Sequence, residues 1–196
     1  MSRIIAGAAK GRALVVPKSG TRPTSDRVKE SLFSMLDARI NDWSSQIVLD
    51  LFAGSGALGL EAISRGARSA TLVDNAQIAI SAMAKNVRSI NAPAISDHGD
   101  SVEVVKADSA RWLDRDLGRD KRYSLVFLDP PYELENDEVE KLVAKLVTKD
   151  LLIEDALVVI ERSARGEKFT FPESDFELVA DKKYGDTTVI IGLFIG

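Results

Sequence analysis

The sequence predicts a doubly wound, mostly parallel α/β sheet that finishes with an antiparallel C-terminal hairpin, and three observations carry that prediction. From residue 46 onward, short continuous apolar runs alternate with amphipathic segments of helical period. A glycine-rich turn, Gly54-Ser55-Gly56-Ala57-Leu58-Gly59, follows the first run and opens the helix after it. The last two apolar runs flank a tight-turn signal, Tyr184-Gly185-Asp186. Strands that are apolar throughout belong to sheets covered on both faces, which is the parallel, helix-flanked case.

Residues 1–24 are rich in Gly, Pro and basic side chains and short on periodicity. They read as a basic arm, with a small hairpin of 3–6 and 12–16 around 8–11, on a main domain of 25–196. Thr24, Ser25 and Asp26 offer capping side chains to a helix whose apolar positions Val28, Leu32, Met35, Leu36 and Ile40 recur at helical spacing. That helix is expected to lie on the core and present Arg27 and Lys29 outward. Strands follow at 47–51, 70–73, 102–106, 125–128 and 156–160, with helices from Ala57, over 76–90, from Ser109 and over 138–147. The runs 176–180 and 187–194 around the Tyr184-Gly185-Asp186 turn complete the sheet with an antiparallel strand.

With 196 residues and 45% hydrophobic content the chain can bury one substantial core. No apolar run approaches the ~20 residues of a membrane span and the N-terminus lacks a secretory pattern, so a cytoplasmic protein with no membrane partner is expected. There is no cysteine and the single histidine, His98, sits in a polar loop, so disulfides, thiolate sites and histidine metal cages are excluded and no metal is expected. Methylation of pyrimidine ring carbons through a covalent thiolate is closed for the same reason. The net charge of −4 is uneven: residues 1–40 carry eight Lys/Arg against three acids, the other 156 carry 18 against 27. A basic segment on an acidic body suits one surface that meets phosphate.

The run 123–128 ends in Asp129-Pro130-Pro131-Tyr132. Two prolines fix φ and remove two N–H donors, so the turn offers carboxylate and carbonyl acceptors with few competing donors. Asp129 and the Pro130 carbonyl suit the two hydrogens of a nucleobase amino group, and Tyr132 suits stacking on the ring. The turn Asp50-Leu51-Phe52-Ala53-Gly54-Ser55-Gly56 has the setting in which backbone N–H groups meet a ligand at a helix N-terminus, and Asp74 stands where a ribose-binding acid is expected. That spacing admits both a nicotinamide dinucleotide and S-adenosylmethionine. A carboxylate at Asp50 repels pyrophosphate and attracts a sulfonium and an ammonium, and Asp108, followed by Ser109, adds an acceptor for an adenine amino group. In a doubly wound sheet the Asp50, Asp74, Asp108 and Asp129 turns all open on the carboxyl edge.

The chain resembles the class I, Rossmann-like S-adenosylmethionine-dependent methyltransferases, and more narrowly the bacterial family that methylates guanine N2 in 16S ribosomal RNA, the RsmD-like enzymes. The resemblance rests on Arg3-Ile4-Ile5-Ala6-Gly7 with Lys10-Gly11-Arg12, on Arg22-Pro23-Thr24 with Asp26-Arg27-Val28 and Lys29-Glu30, and on the Asp50 and Asp129 motifs. It implies a seven-stranded sheet, a guanine in small-subunit rRNA that already carries ribosomal proteins or belongs to an assembly intermediate, and a monomer. It implies cofactor binding by Asp50, Phe52, Gly54, Gly56, Asp74, Asn75, Asp108 and Ser109, with S-adenosyl-L-homocysteine as product. Asp129, Pro130, Pro131 and Tyr132 are then the catalytic turn, and Arg3, Lys10, Arg12, Arg22, Arg27 and Lys29 the RNA-binding set, although 22–30 could equally close over the cofactor. DNA adenine-N6 or cytosine-N4 methylation, a non-catalytic RNA-binding assembly factor and a dinucleotide reductase are the alternative readings.

Overall fold

The computed structural model describes residues 2–17, 26–90, 102–115 and 121–196. Arg22, the capping side chains of Thr24 and Ser25, and His98 lie outside them. In chain order the elements begin with β1 (Ser2–Arg3), β2 (Ala13–Leu14), α1 (Asp26–Asp37), β3 (Ile47–Asp50), α2 (Ala57–Arg65), β4 (Ser69–Asp74) and α3 (Gln77–Ile90). They continue with β5 (Val102–Lys106), α4 (Ser109–Leu113), β6 (Tyr123–Leu128), α5 (Asn136–Thr148), β7 (Leu152–Ser163), β8 (Phe176–Tyr184) and β9 (Thr187–Phe194).

The main sheet has seven strands in the order β5-β4-β3-β6-β7-β9-β8. The first five are parallel, and β9 runs antiparallel between β7 and β8. The expected doubly wound sheet with an antiparallel finish is therefore the observed one. Successive strand residues feed opposite faces. Val48, Leu125, Phe127, Leu157 and Val159 pack with α1, α2 and α3, whereas Leu49, Val126, Leu128, Val158 and Ile160 pack with α4 and α5. This two-sided burial is why the strands read as unbroken apolar runs. Strand β7 starts four residues earlier than its apolar run, because Asp155 adopts a left-handed backbone (φ 61°) and the register against β6 shifts between Tyr123 and Leu125. Asp is among the few side chains that tolerate that conformation.

The N-terminal hairpin forms over a shorter span than expected. Beyond the Ser2–Leu14 and Arg3–Ala13 pairs, Ile4 N–H bonds to Arg12 O (2.9 Å) and Gly11 N–H to Ile4 O (2.9 Å), and the ladder then stops. The next two donors, Ile5 N–H and Ala6 N–H, go to the Glu61 carboxylate of α2 at 2.7 and 2.9 Å. Ser64 continues the seam, with Ala8 N–H on its carbonyl (2.7 Å) and Ala9 N–H on its hydroxyl (2.9 Å). Gly7 (φ 79°) lies so close to α2 that a Cβ there would sit 1.7 Å from Ser64 O. Ile4, Ala9 and Leu14 are buried in the same cluster as Leu32, Phe33 and Ile63. No helix among the described residues is long and apolar enough to cross a membrane.

Candidate functional site

Strands β3 and β6 are neighbours, yet the chain leaves β3 toward β4 and β5 and returns to β6 from the other side. That junction is the topological switch point, where crossovers diverge and leave a crevice at the carboxyl ends of the strands. Asp50 ends β3, and Asp129 follows β6 two residues beyond Phe127, the register partner of Asp50. Backbone bonds past the strand ends hold the turns together: Leu51 N–H to Phe127 O (3.1 Å), Ala53 N–H to Val73 O (3.0 Å) and Ala107 N–H to Asp74 O (3.0 Å). The expected strand-end acids thus meet along one edge.

Asp50 lies deeper than a ligand-facing strand tip. It is 1% exposed, under the glycine turn, and its Oδ2 accepts the Gly59 N–H at 3.3 Å. Burial pushes its carboxyl up to about 7, the Gly59 N–H opposes that rise, and the nearby charges of Asp129 and Asp74 add to it. Oδ1 has no partner in hydrogen-bond geometry, the Phe52 N–H contributing only a weaker attraction. Gly59 permits the close packing: a Cβ there would come within 2.3 Å of Leu72 Cδ2. Charge at Asp50 is therefore partial near neutral pH, and the group is an acceptor in want of a cationic donor. That chemistry fits the ammonium and sulfonium of S-adenosylmethionine and does not fit pyrophosphate.

The other expected cofactor residues divide by what they already hold. Asp74 accepts Gly54 N–H (2.9 Å) and Ala76 N–H (2.8 Å), so it braces the glycine turn through one oxygen and opens α3 through the other. Asp108 caps α4 by accepting from Arg111 N–H (3.0 Å). Ser109 is buried, and its hydroxyl donates to Leu51 O rather than facing a ligand. Asn75 is exposed and Phe52 half-buried beside them, while Gly54 and Gly56 are buried within the turn.

In the acceptor turn Asp129 is half-buried, Pro130 buried and Pro131 exposed. The Tyr132 ring is held by its hydroxyl, 2.8 Å from Thr187 Oγ1 on β9. From β7, Arg162 reaches under this turn: its Nε donates to Asn136 Oδ1 (3.0 Å) and its Nη2 to Leu134 O. Burial lowers its pKa, against the attraction of Glu135, Tyr132 and Asp129. Asn86 of α3 plays a similar part behind the glycine turn, donating to Ser55 O (2.8 Å) and Val15 O (2.9 Å) and accepting Val15 N–H (2.8 Å). Asn86 and Glu61 each fall on the buried stripe of their helix, and a polar residue on an apolar stripe was the signal available for them. Arg162 carried no such local signal, because its partners lie 26 and 28 residues away.

Among the basic residues, Arg3, Lys10, Arg12 and Arg27 are exposed as expected. Lys29 is not. It is fully buried, with its ammonium 3.7 Å from Glu61 Oε2 and donating to Arg3 O (2.5 Å). Burial lowers its pKa and the Glu61 charge opposes that. The outward placement expected for Lys29 is therefore corrected, since an ammonium so enclosed does not reach solvent phosphate. Two clefts open on this side. One of about 270 Å³ is lined by Arg3, Ile4, Ile5, Lys10, Gly11, Asp26 and Glu30. The other, of about 330 Å³, lies between Arg27, Val28, Lys183, Tyr184 and Gly185. Neither is lined by Asp50, the glycine turn or Asp129, so the cofactor placement stands on the strand-end residues.

A family model described as conserved hypothetical protein 95 matches residues 2–192. Ribosomal RNA small subunit methyltransferase D of Escherichia coli (strain K12) is 36% identical over 171 residues, 87% of this chain and 79% of that protein. The solved structure of Escherichia coli yhhF matches with a TM-score of 0.80 at 33% identity, covering 99% of this chain and 98% of that one. A hypothetical protein of Thermus thermophilus matches with a TM-score of 0.78 at 28% identity, covering 97% and 98%. The strand order agrees with these likenesses, and the chain belongs to the conserved hypothetical protein 95 family, RsmD-like class I methyltransferases whose cofactor is S-adenosylmethionine.

Proposed function

We propose that this chain methylates the exocyclic N2 amine of a guanine in small-subunit ribosomal RNA, acting as a monomer on RNA within a subunit or assembly intermediate. The observation that carries the reading is the placement of Asp50 and Asp129 at the ends of neighbouring strands across the switch point, near enough for their charges to act on one another, a cation-seeking carboxyl beside a donor-poor turn. The name of the Escherichia coli relative supports the small-subunit RNA substrate.

When bound, S-adenosylmethionine supplies an electrophilic methyl group on a sulfonium. Asp50 would fix its amino-acid end beside the glycine turn, with Asp74 and Asp108 toward the ribose and base. The guanine amine is a weak nucleophile because its lone pair is delocalised into the ring. Asp129 and the Pro130 carbonyl would hold its two hydrogens, turn the lone pair toward the methyl and stabilise positive charge developing on nitrogen. As the N–C bond forms and the C–S bond breaks, Asp129 would take the proton that nitrogen gives up. Tyr132, clamped by Thr187, would stack on a base flipped out of its helix. Residues 1–24 would serve as a basic RNA-binding arm on the 25–196 catalytic domain. That division is functional rather than a break in the core, because Ile4, Ala9 and Leu14 share the core of the body.

Mass mapping of methylated nucleosides in small-subunit RNA, from cells with and without the protein, tests the reading. Loss of one N2-methylguanine is expected; an unchanged RNA with activity on duplex DNA would overturn it. Asp129→Ala should retain S-adenosylmethionine binding in calorimetry and lose about a hundred- to a thousandfold in turnover, the cost of removing one charge-stabilising group.

A further inference from the structure

The cleft between the start of α1 and the β8–β9 turn has no part in the chemistry above. Its walls are Arg27 and Val28 on one side and Lys183, Tyr184 and Gly185 on the other. At about 330 Å³ it is at the small end of ligand sites. That size suits one nucleotide unit rather than a folded domain. Arg27 and Lys183 are exposed, and among the described residues neither forms an ion pair. Two nearby cations are paired, Arg165 with Asp186 at 2.9 Å and Lys168 with Asp181 at 2.6 Å. Two exposed cations, neither in an ion pair among the described residues, beside a half-buried tyrosine make a site for a phosphate and a base face together.

The cleft is also wired to the acceptor turn. Tyr184 is the register partner of Thr187, and Thr187 Oγ1 is 2.8 Å from the Tyr132 hydroxyl. Tyr132 and Tyr184 thus flank one threonine, with the target base on the first side and the cleft on the second. We propose that this cleft is a second RNA subsite, in which Arg27 and Lys183 take backbone phosphate and Tyr184 stacks on the base of a nucleotide flanking the methylated one. This rests on the RNA methyl-transfer reading and adds to it a grip on the neighbouring nucleotide, built from α1 and the C-terminal hairpin rather than from the N-terminal hairpin. A flipped base needs its strand held on each side, and the cleft supplies one of those holds.

The test is binding of a fluorescein-labelled single-stranded RNA of about ten nucleotides, read by anisotropy without cofactor over a series of salt concentrations. Tyr184→Ala should weaken binding about five- to a hundredfold, and Tyr184→Phe should restore it, since stacking needs the ring and not the hydroxyl. Joint Arg27→Gln and Lys183→Gln, both at exposed positions, should lower the slope of log affinity against log salt by about 1.4. In methyl-transfer assays the loss should fall on KM for RNA. Unchanged affinity and slope in the charge variant, with Tyr184→Ala still folded by thermal melting, would overturn the proposal. Loss of binding to assembled subunits with naked RNA unaffected would overturn it too, by assigning the cleft to a protein. Wild-type protein that binds the oligonucleotide through these residues but methylates no RNA would leave the subsite standing and sink the functional reading.

Discussion

Asp50 sits where a carboxylate resists ionising, and that resistance is measurable. Its carboxyl titrates near 7 in the fold against about 4 in an unfolded chain, because burial outweighs the Gly59 N–H bond. The folded state therefore keeps a proton that the unfolded state releases. Stability from this group is complete below about pH 4, falls as pH rises to about 7 and is flat beyond, by on the order of 4 kcal/mol. Asp50→Asn should remove that slope, so that wild type and variant melt alike at pH 4 and the variant melts higher at pH 8. A bound ammonium or sulfonium favours the ionised carboxylate, so S-adenosylmethionine binding at pH 6 should release a proton, seen as buffer-dependent calorimetric heats and lost in the variant. At this scale the motif residues were readable because the Asp50 and Asp129 turns are local. The depth of Asp50 was not, since it depends on α2 closing over β3.

At the scale of elements, α2 joins both halves of the molecule. Its N-terminus carries the glycine turn, while Glu61 and Ser64 in its body hold the N-terminal hairpin and α1. Glu61 is fully buried with Lys29 and also accepts from Arg65 Nε at 3.1 Å. Removing its charge strands a buried ammonium, a change that costs about 3–5 kcal/mol when one member of an enclosed pair is lost. Glu61→Gln should accordingly lower the unfolding free energy measured in urea by that amount, and joint Glu61→Gln with Lys29→Met should recover part of it. An additive pair of effects would show that the two groups do not interact. Helical period placed α1 correctly but put Lys29 outside, because period assigns faces by polarity and the partner that lets Lys29 go inside is 32 residues away.

Over the whole molecule, a net charge of −4 coexists with exposed Arg3, Lys10 and Arg12 on the N-terminal hairpin. The proposed phosphate contacts of the hairpin are best tested by charge and not by truncation, since Ile4, Ala9 and Leu14 belong to the core. Joint Arg3→Gln, Lys10→Gln and Arg12→Gln should leave the melting temperature nearly unchanged and reduce the salt slope of RNA binding by about 2. A slope equal to that of the wild type would remove the hairpin from the RNA surface.

The sequence by itself determined the alternation of strands and helices, the antiparallel finish, the glycine turn and the donor-poor acceptor turn. Each of these is written in residues within one or two turns of one another. Tertiary structure alone decided that Asp50 is enclosed, that Ser109 and Lys29 face inward, and that Arg162 and Asn86 brace the two turns from behind. It also set Arg27 beside Tyr184, 157 positions along the chain. The physical reason is range: periodicity and turn chemistry record what neighbours along the chain need, whereas burial of a charge and the meeting of distant side chains are set only when the sheet order closes.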